Sequence, residues 1–174
     1  ITNPTNPPRS IENAEIKVYV PGKGNAHTNG LNYDYLDRWS ARTTWGYLDP
    51  PRLGESVVIP SKDVILYDYA SPKLELVIIE GTLRFDDTAD RAFNASYIMV
   101  KGWPSLGTMG KLQVGLENAP FQHRAVITLH GNRRSYEMPV YGAKVLAVRF
   151  GTLELHGKPT TSWTRLNRTA FAGD

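Results

Sequence analysis

The chain has 174 residues, enough for one domain that buries roughly two thirds of its unfolded surface and stands without disulfide staples. It has no cysteine, which leaves its redox compartment open, and no apolar run approaches the ~18 residues needed to cross a bilayer. The net charge of +3 arises from 20 basic residues scattered among 17 acidic ones, without the basic stripe that a nucleic-acid partner requires.

The first zone, Ile1 to about Gly30, opens on Pro4, Pro7 and Pro8. Proline fixes φ and removes an amide donor, so this stretch reads as an extended arm. No basic patch leads into an apolar stretch, so any signal peptide has been removed or never existed. A half-buried strand is expected at Ile16 to Val20, where Ile16, Val18 and Val20 share one face and Lys17 and Tyr19 the other. Pro21, Gly22 and Gly24 end it, and Asn25 to Gly30 reads as a loop.

The second zone, Leu31 to Arg52, carries Leu31, Tyr35, Leu36 and Trp39 near helical spacing, with Asn32 or Asp34 as a cap. A short helix is expected there, ended by W-G-Y-L-D-P-P-R. Domain organisation follows: residues 1–30 form the arm and first strand, and residues 31–174 a single β domain.

The third zone, Leu53 to Gly157, is strand and turn throughout. Short branched apolar runs such as V-V-I-P, L-V-I-I-E, Y-I-M-V-K and A-V-I-T-L-H are separated by Gly54, Gly81, Gly102, Gly115, Gly131, Gly142, Gly151 and Gly157. Ile59, Ile79 and Ile98 recur at roughly 20-residue intervals, near the lower end of solenoid periods. V-I-T-L-H-G at Val126 to Gly131 is echoed by T-L-E-L-H-G at Thr152 to Gly157. Strands of a sandwich buried on one face should alternate cleanly, and V-V-I and L-V-I-I do not. The fold class is therefore all-β, read as a right-handed parallel β-solenoid with an extended N-terminal arm; a β-sandwich is the alternative.

The order W…W…P-P-R-L-G-E-S-V-V-I-P, L-V-I-I-E-G-T-L-R-F, A-S-Y-I-M-V-K-G, L-Q-V-G-L-E-N-A-P-F, I-T-L-H-G, Y-G-A-K-V-L and L-E-L-H-G resembles the domain named for its eight glycines. That domain occurs in fibrocystin-type receptors and in cell-surface and secreted hyaluronidases. The likeness runs from about Trp39 to Gly157, and the tail S-W-T-R-L-N-R-T resembles the segment that follows the domain in the hyaluronidases. Phe150 before Gly151, and Trp103 after Gly102, stand where a second glycine is common. The resemblance implies an extracellular or cell-surface setting, an all-β fold and a link to carbohydrate biology. It implies no active site in this chain, because the hyaluronidases continue into a larger β-helix and a shared fold does not transfer activity.

Each group of chemistry-bearing residues has a structural role beside the functional one. On a solenoid, His130 and His156 of the echoed L-H-G motifs stack and share a metal with Glu154, or each bonds a local carbonyl; the second reading prevails. Asp86, Asp87 and Asp90 suit calcium or a solvated turn, and they lack the periodicity of a calcium loop. Nothing selects two carboxylates for glycoside hydrolysis, and no nucleophile elbow, P-loop or catalytic cysteine is present. No cofactor or metal is called for.

Aromatic residues carry the binding expectation. Tyr67 and Tyr69 sit two residues apart on one expected strand, and Trp103 sits in the turn G-W-P-S-L-G. Flat rings with a polar tip suit stacking on sugars as well as packing. Trp39 and Trp45 are expected to plug an open end of the solenoid. Asn94 and Asn167 head glycosylation sequons. Ile16, Val18 and Val20 either cover the chain's own sheet edge or add to a neighbour's, which would build rings or filaments. Three functions follow: a non-catalytic adhesive or matrix module binding a glycan or extracellular protein, a self-assembling structural protein, or a relative of a polysaccharide-degrading enzyme.

Overall fold

The computed structural model describes residues 11–15, 18–20, 24–26 and 32–159, with side chains from residue 36 onward. Its strands are β1 (Ile11–Glu15), β2 (Val18–Val20), β3 (Gly24–Ala26), β4 (Asn32–Tyr35), β5 (Asp37–Arg38), β6 (Val57–Ile59), β7 (Val64–Tyr67), β8 (Leu74–Ile79), β9 (Thr82–Phe85), β10 (Arg91–Lys101), β11 (Lys111–Val114), β12 (Ala125–Leu129), β13 (Val145–Arg149) and β14 (Thr152–Leu155). No α-helix occurs among the described residues, which form an all-β structure.

From β5 onward the chain passes back and forth between two sheets in which every pairing is parallel. One sheet holds β6, β8 and β10, with β12 and β13 lying end to end along the far edge of β10. The other runs β5, β7, β9, β11, β14. Apolar side chains line up in columns: Ile59, Ile79, Val100 and Val148 in the first sheet, and Ile65, Leu83, Leu112 and Leu153 in the second.

The columns refine the expected 20-residue recurrence. Ile59 and Ile79 are direct neighbours, but Ile98 stacks on Val77, because the next circuit is one residue longer and puts Val100 beside Ile79. Branched apolar runs are continuous in the inner strands because both faces of β6 and most of β10 are at least partly covered. In β6, Val57 and Ile59 are fully buried while Val58 between them is half-buried.

Glycines sit where neighbouring circuits meet backbone to backbone. A Cβ on Gly110 would lie 2.0 Å from the Ile79 carbonyl oxygen, and one on Gly81 2.3 Å from that of Pro60. That closeness lets circuits bond directly at the corner: the Lys111 amide donates to Gly81 O at 2.8 Å, and the Thr152 amide to Gly110 O at 2.8 Å.

The core is aromatic at the β5 end. Trp39, Trp45, Tyr67, Phe85 and Phe93 pack with ring centroids 4.9 to 6.1 Å apart, mostly edge to face. Trp45 Nε1 donates to Trp39 O at 2.7 Å. The two tryptophans thus occupy the first circuit, fully or almost fully buried.

The expected helix after Leu31 is replaced by β4, β5 and a single 3₁₀ turn, Arg42–Trp45. Asp37 and Arg38 pair in parallel with Ile65 and Leu66, and burial alternates from Asp37 to Trp39 with the period of a strand. Tertiary pairing overrides the local spacing. In the arm, β1 pairs antiparallel with β4, and β2 forms a hairpin with β3. Val18 and Val20 lie on β2, Ile16 lies outside the described residues, and the β1–β4 pairing crosses the division drawn near Gly30.

Candidate functional site

The loop from Gly102 to Gly110 protrudes from the corner between β10 and β11. Trp103 N donates to Thr108 O at 2.8 Å and Thr108 N returns to Trp103 O at 3.2 Å, closing the loop at its neck. Pro104 opens a 3₁₀ turn over Pro104–Leu106, and Gly107 ends it at φ 64°. The Trp103 side chain is fixed from two sides. Its Nε1 donates to Glu80 Oε1 at 3.2 Å, and Lys101 Nζ sits 3.8 Å from the ring centroid while pairing with Glu80 at 3.3 Å.

The ring remains 43 % exposed and walls a cleft of about 270 Å³ with Pro104, Tyr141 and Phe150, rimmed by Lys101 and Arg149. Phe150 comes from the neighbouring circuit: Gly102 N donates to Arg149 O at 3.0 Å. Phe150 has φ +54°, the left-handed conformation that glycine favours, yet it carries a ring that is 57 % exposed. Trp103 and Phe150, the two positions that the family resemblance sets where a second glycine is common, therefore meet at one corner.

Tyr67 requires a correction. Its ring is fully buried among Trp39, Phe85 and Phe93, its hydroxyl donates to Ala92 O at 2.6 Å, and it accepts the Ser71 amide at 2.8 Å. No ligand reaches it, and burial pushes its hydroxyl pKa up. Tyr69 lies beyond the end of β7 and is 40 % exposed, so it does not share Tyr67's face. The corner from β7 to β8 that bears Tyr69 and the corner from β10 to β11 that bears Trp103 lie at opposite edges of the paired sheets, so the three aromatics form no common surface.

The histidine pair is also corrected. His130 follows β12 and His156 follows β14, in different sheets, so they do not stack. His130 Nε2 lies 3.2 Å from Asn94 Oδ1. Among the described residues no three His, Cys, Asp or Glu side chains converge as a metal group. The aspartates organise a loop instead. Asp87 accepts the amides of Gln122 and His123 at 2.8 to 3.1 Å and faces His123 Nδ1 at 2.9 Å, while Asp90 accepts the Arg124 amide at 2.9 Å. Burial works to raise the Asp87 pKa, but those hydrogen bonds outweigh it and hold the carboxyl below its ordinary value.

Of the sequons, Asn94 is half-buried in β10 with Nδ2 donating to Ser71 O at 3.1 Å, and Asn167 lies outside the described residues. Lys101, Tyr141 and Arg149 were not singled out by sequence, and Phe150 only as a departure from a common glycine. The signal that pointed to them was the pair of glycine departures, which only stacking turns into one place.

The sequence pattern described as G8 domain matches residues 44–167. This chain belongs to the G8 domain family. Human fibrocystin-L is 44 % identical to it over 162 residues, covering 92 % of the chain and 4 % of that protein. Dog fibrocystin is 32 % identical over 163 residues, again 92 % of the chain and 4 % of the relative. Human cell surface hyaluronidase CEMIP2 is 46 % identical over 57 residues, 32 % of the chain and 4 % of the relative. The G8 domain in hand thus spans about 4 % of the length of these curated relatives. They are cell-surface or secreted proteins, and the G8 domain is an extracellular or cell-surface module. No solved structure gives a significant match.

Proposed function

We propose that this G8 domain is a non-catalytic binding module, built as a β-solenoid, that seats an acidic glycan in the cleft of Trp103, Tyr141 and Phe150. The observation that carries this reading is the fixed, half-exposed Trp103 ring facing Phe150 across a cleft rimmed by Lys101 and Arg149. Aromatic faces stack on the apolar faces of sugar rings, and the Arg149 guanidinium suits a carboxylate on such a chain, while the Lys101 charge is met by Glu80 and serves to hold the Trp103 ring. The relatives named as a hyaluronan-binding protein in mouse and as a cell surface hyaluronidase in human support a glycan over a protein ligand. The alternation of parallel strands between two sheets supports the solenoid, and the pairing of β1 with β4 and of β2 with β3, in small sheets of their own within one chain, favours an arm folded on itself over a filament.

The test is a titration of the full chain with hyaluronan oligosaccharides and a panel of neutral glycans. Trp103→Ala is expected to weaken binding at least tenfold, Tyr69→Ala to leave it unchanged, and hyaluronan chain length to stay constant on incubation. Absence of binding to every glycan would overturn the reading, and shortening of hyaluronan would overturn its non-catalytic part.

A further inference from the structure

Residues 131–144 interrupt what is otherwise one strand. β12 pairs with the first half of β10 and β13 with the second, both parallel and along the same edge. Each residue of β12 sits beside the one 34 positions earlier, as Ala125 beside Arg91, and each residue of β13 beside the one 48 positions earlier, as Val145 beside Tyr97. The difference, 14 positions, is the length of the interruption. His130 still follows the β12 register, since its amide donates to Ala95 O at 2.8 Å and so sets it beside Ser96. Val145 takes the next place, beside Tyr97. The ends of the interruption touch: a Cβ on Gly131 would lie 2.8 Å from Lys144 Cβ. Residues 131–144 are thus an Ω-loop that leaves and re-enters one strand without changing its register.

The loop folds over the outer face of β10. Ile98 and Val100 point into the core, so Tyr97, Met99 and Lys101 point out. Tyr97 is nevertheless only 5 % exposed, and its hydroxyl donates to the Tyr136 carbonyl of the loop. Further along the same face, Met99 and Lys101 line the Trp103 cleft, to which the loop contributes Tyr141. Between these two anchors the chain makes a tight turn, with Tyr141 N donating to Met138 O at 3.0 Å and Pro139 and Val140 at its centre. Val140 has φ +73°, where such a turn ordinarily carries glycine or asparagine, and its β-branched side chain is 98 % exposed. The tip thus disfavours its own residue and buries almost none of it, the reverse of a segment shaped for folding.

We infer that residues 131–144 are a recognition insert: the strand they interrupt needs none of them, and the Trp103 cleft owes its Tyr141 wall, and with it its hold on a ligand, to them. This rests on the glycan reading of the cleft. The insert carries Arg133, Arg134 and Lys144, all exposed, against the single carboxylate of Glu137, an excess of positive charge that suits an acidic chain. Without it, Trp103 and Phe150 stand at an open corner of a bare scaffold.

Deleting residues 131–144 from the full 174-residue protein joins His130 to Val145 in register, and Tm is expected to fall by no more than roughly 5 °C. Deleting residues 132–144 instead leaves one residue too many, which turns β13 over, and Tm is expected to fall by roughly 10 °C more. Equal Tm values in the two deletions, or failure of the in-register deletion to fold, would overturn the insert. Tyr141→Ala is expected to keep Tm within roughly 2 °C and to weaken binding of hyaluronan oligosaccharides about fivefold or more, and the in-register deletion about tenfold or more. Unchanged affinity in either variant would overturn the recognition role alone. Binding of no glycan by the unaltered chain would overturn the reading of the cleft and that role with it, while the two deletions still decide the insert.

Discussion

At the scale of single residues, the structure places two side chains in conditions that local chemistry disfavours. Asp63 is buried, and burial together with the neighbouring Asp37 carboxylate pushes its pKa from 3.8 up to about 6. A carboxyl whose pKa rises on folding lowers stability above the folded value, and that penalty is relieved as pH falls from about 6 through the unfolded value near 3.8. Its backbone bonds, the amide to Pro60 O and the carbonyl from Thr82 N, survive substitution. Asp63→Asn is therefore expected to stabilise the protein at pH 7.5 by roughly 1–3 kcal/mol and by nothing at pH 3.5, as read by chemical denaturation at the two pH values. Phe150 holds a left-handed backbone that costs a side-chain-bearing residue about 1 kcal/mol. Phe150→Gly should raise Tm by roughly 2–4 °C and weaken ligand binding in the same protein. Higher Tm with unchanged affinity would remove Phe150 from the site.

At the scale of elements, the sequence showed strands, turns and most of their order, while the partnering of elements was hidden. Leu31 to Trp39 illustrates why: its apolar residues fit helical spacing, yet parallel pairing of Asp37 and Arg38 with β7 makes strand the lower-energy choice. Tyr67 and Tyr69 show a second limit. The two-residue rule puts both on one face only while the strand lasts, and β7 ends at Tyr67. The glycines divide by cause in the same way. Gly110 is forced by the Ile79 and Lys101 carbonyl oxygens, 2.0 and 2.6 Å from where its Cβ would be, whereas Gly54 has open space and φ +78°. Gly110→Ala is expected to cost about 3 kcal/mol or prevent folding, and Gly54→Ala about 1 kcal/mol, in urea titrations of both. Equal costs would mean that corner packing does not select the glycine.

At the scale of the whole molecule, function follows from which corners the circuits bring together. Trp103 and Phe150 are 47 positions apart in sequence and share a cleft because β10 and β13 are neighbours. Tyr69, at 34 positions nearer to Trp103 in sequence than Phe150 is, lies at the opposite edge. The echoed L-H-G motifs fall in different sheets because β13, the strand between them, returns to the sheet of β12 instead of crossing to the other, so the chain crosses only once from β12 to β14. An aromatic wall and the Arg149 side chain thus meet at one corner, and Asp87 and Asp90, which drew attention in the sequence, fix the loop before β12.

By itself the sequence determined the all-β class, the glycine-marked turns and the family, because strand propensity, turn chemistry and the order of short motifs are local properties. Only the tertiary structure decided the partner of each strand, the burial of Tyr67 and the meeting of Trp103 with Phe150. Those depend on the length of each circuit and on the insertion that sets β12 and β13 along one edge of β10, quantities fixed by long-range pairing that no local pattern encodes.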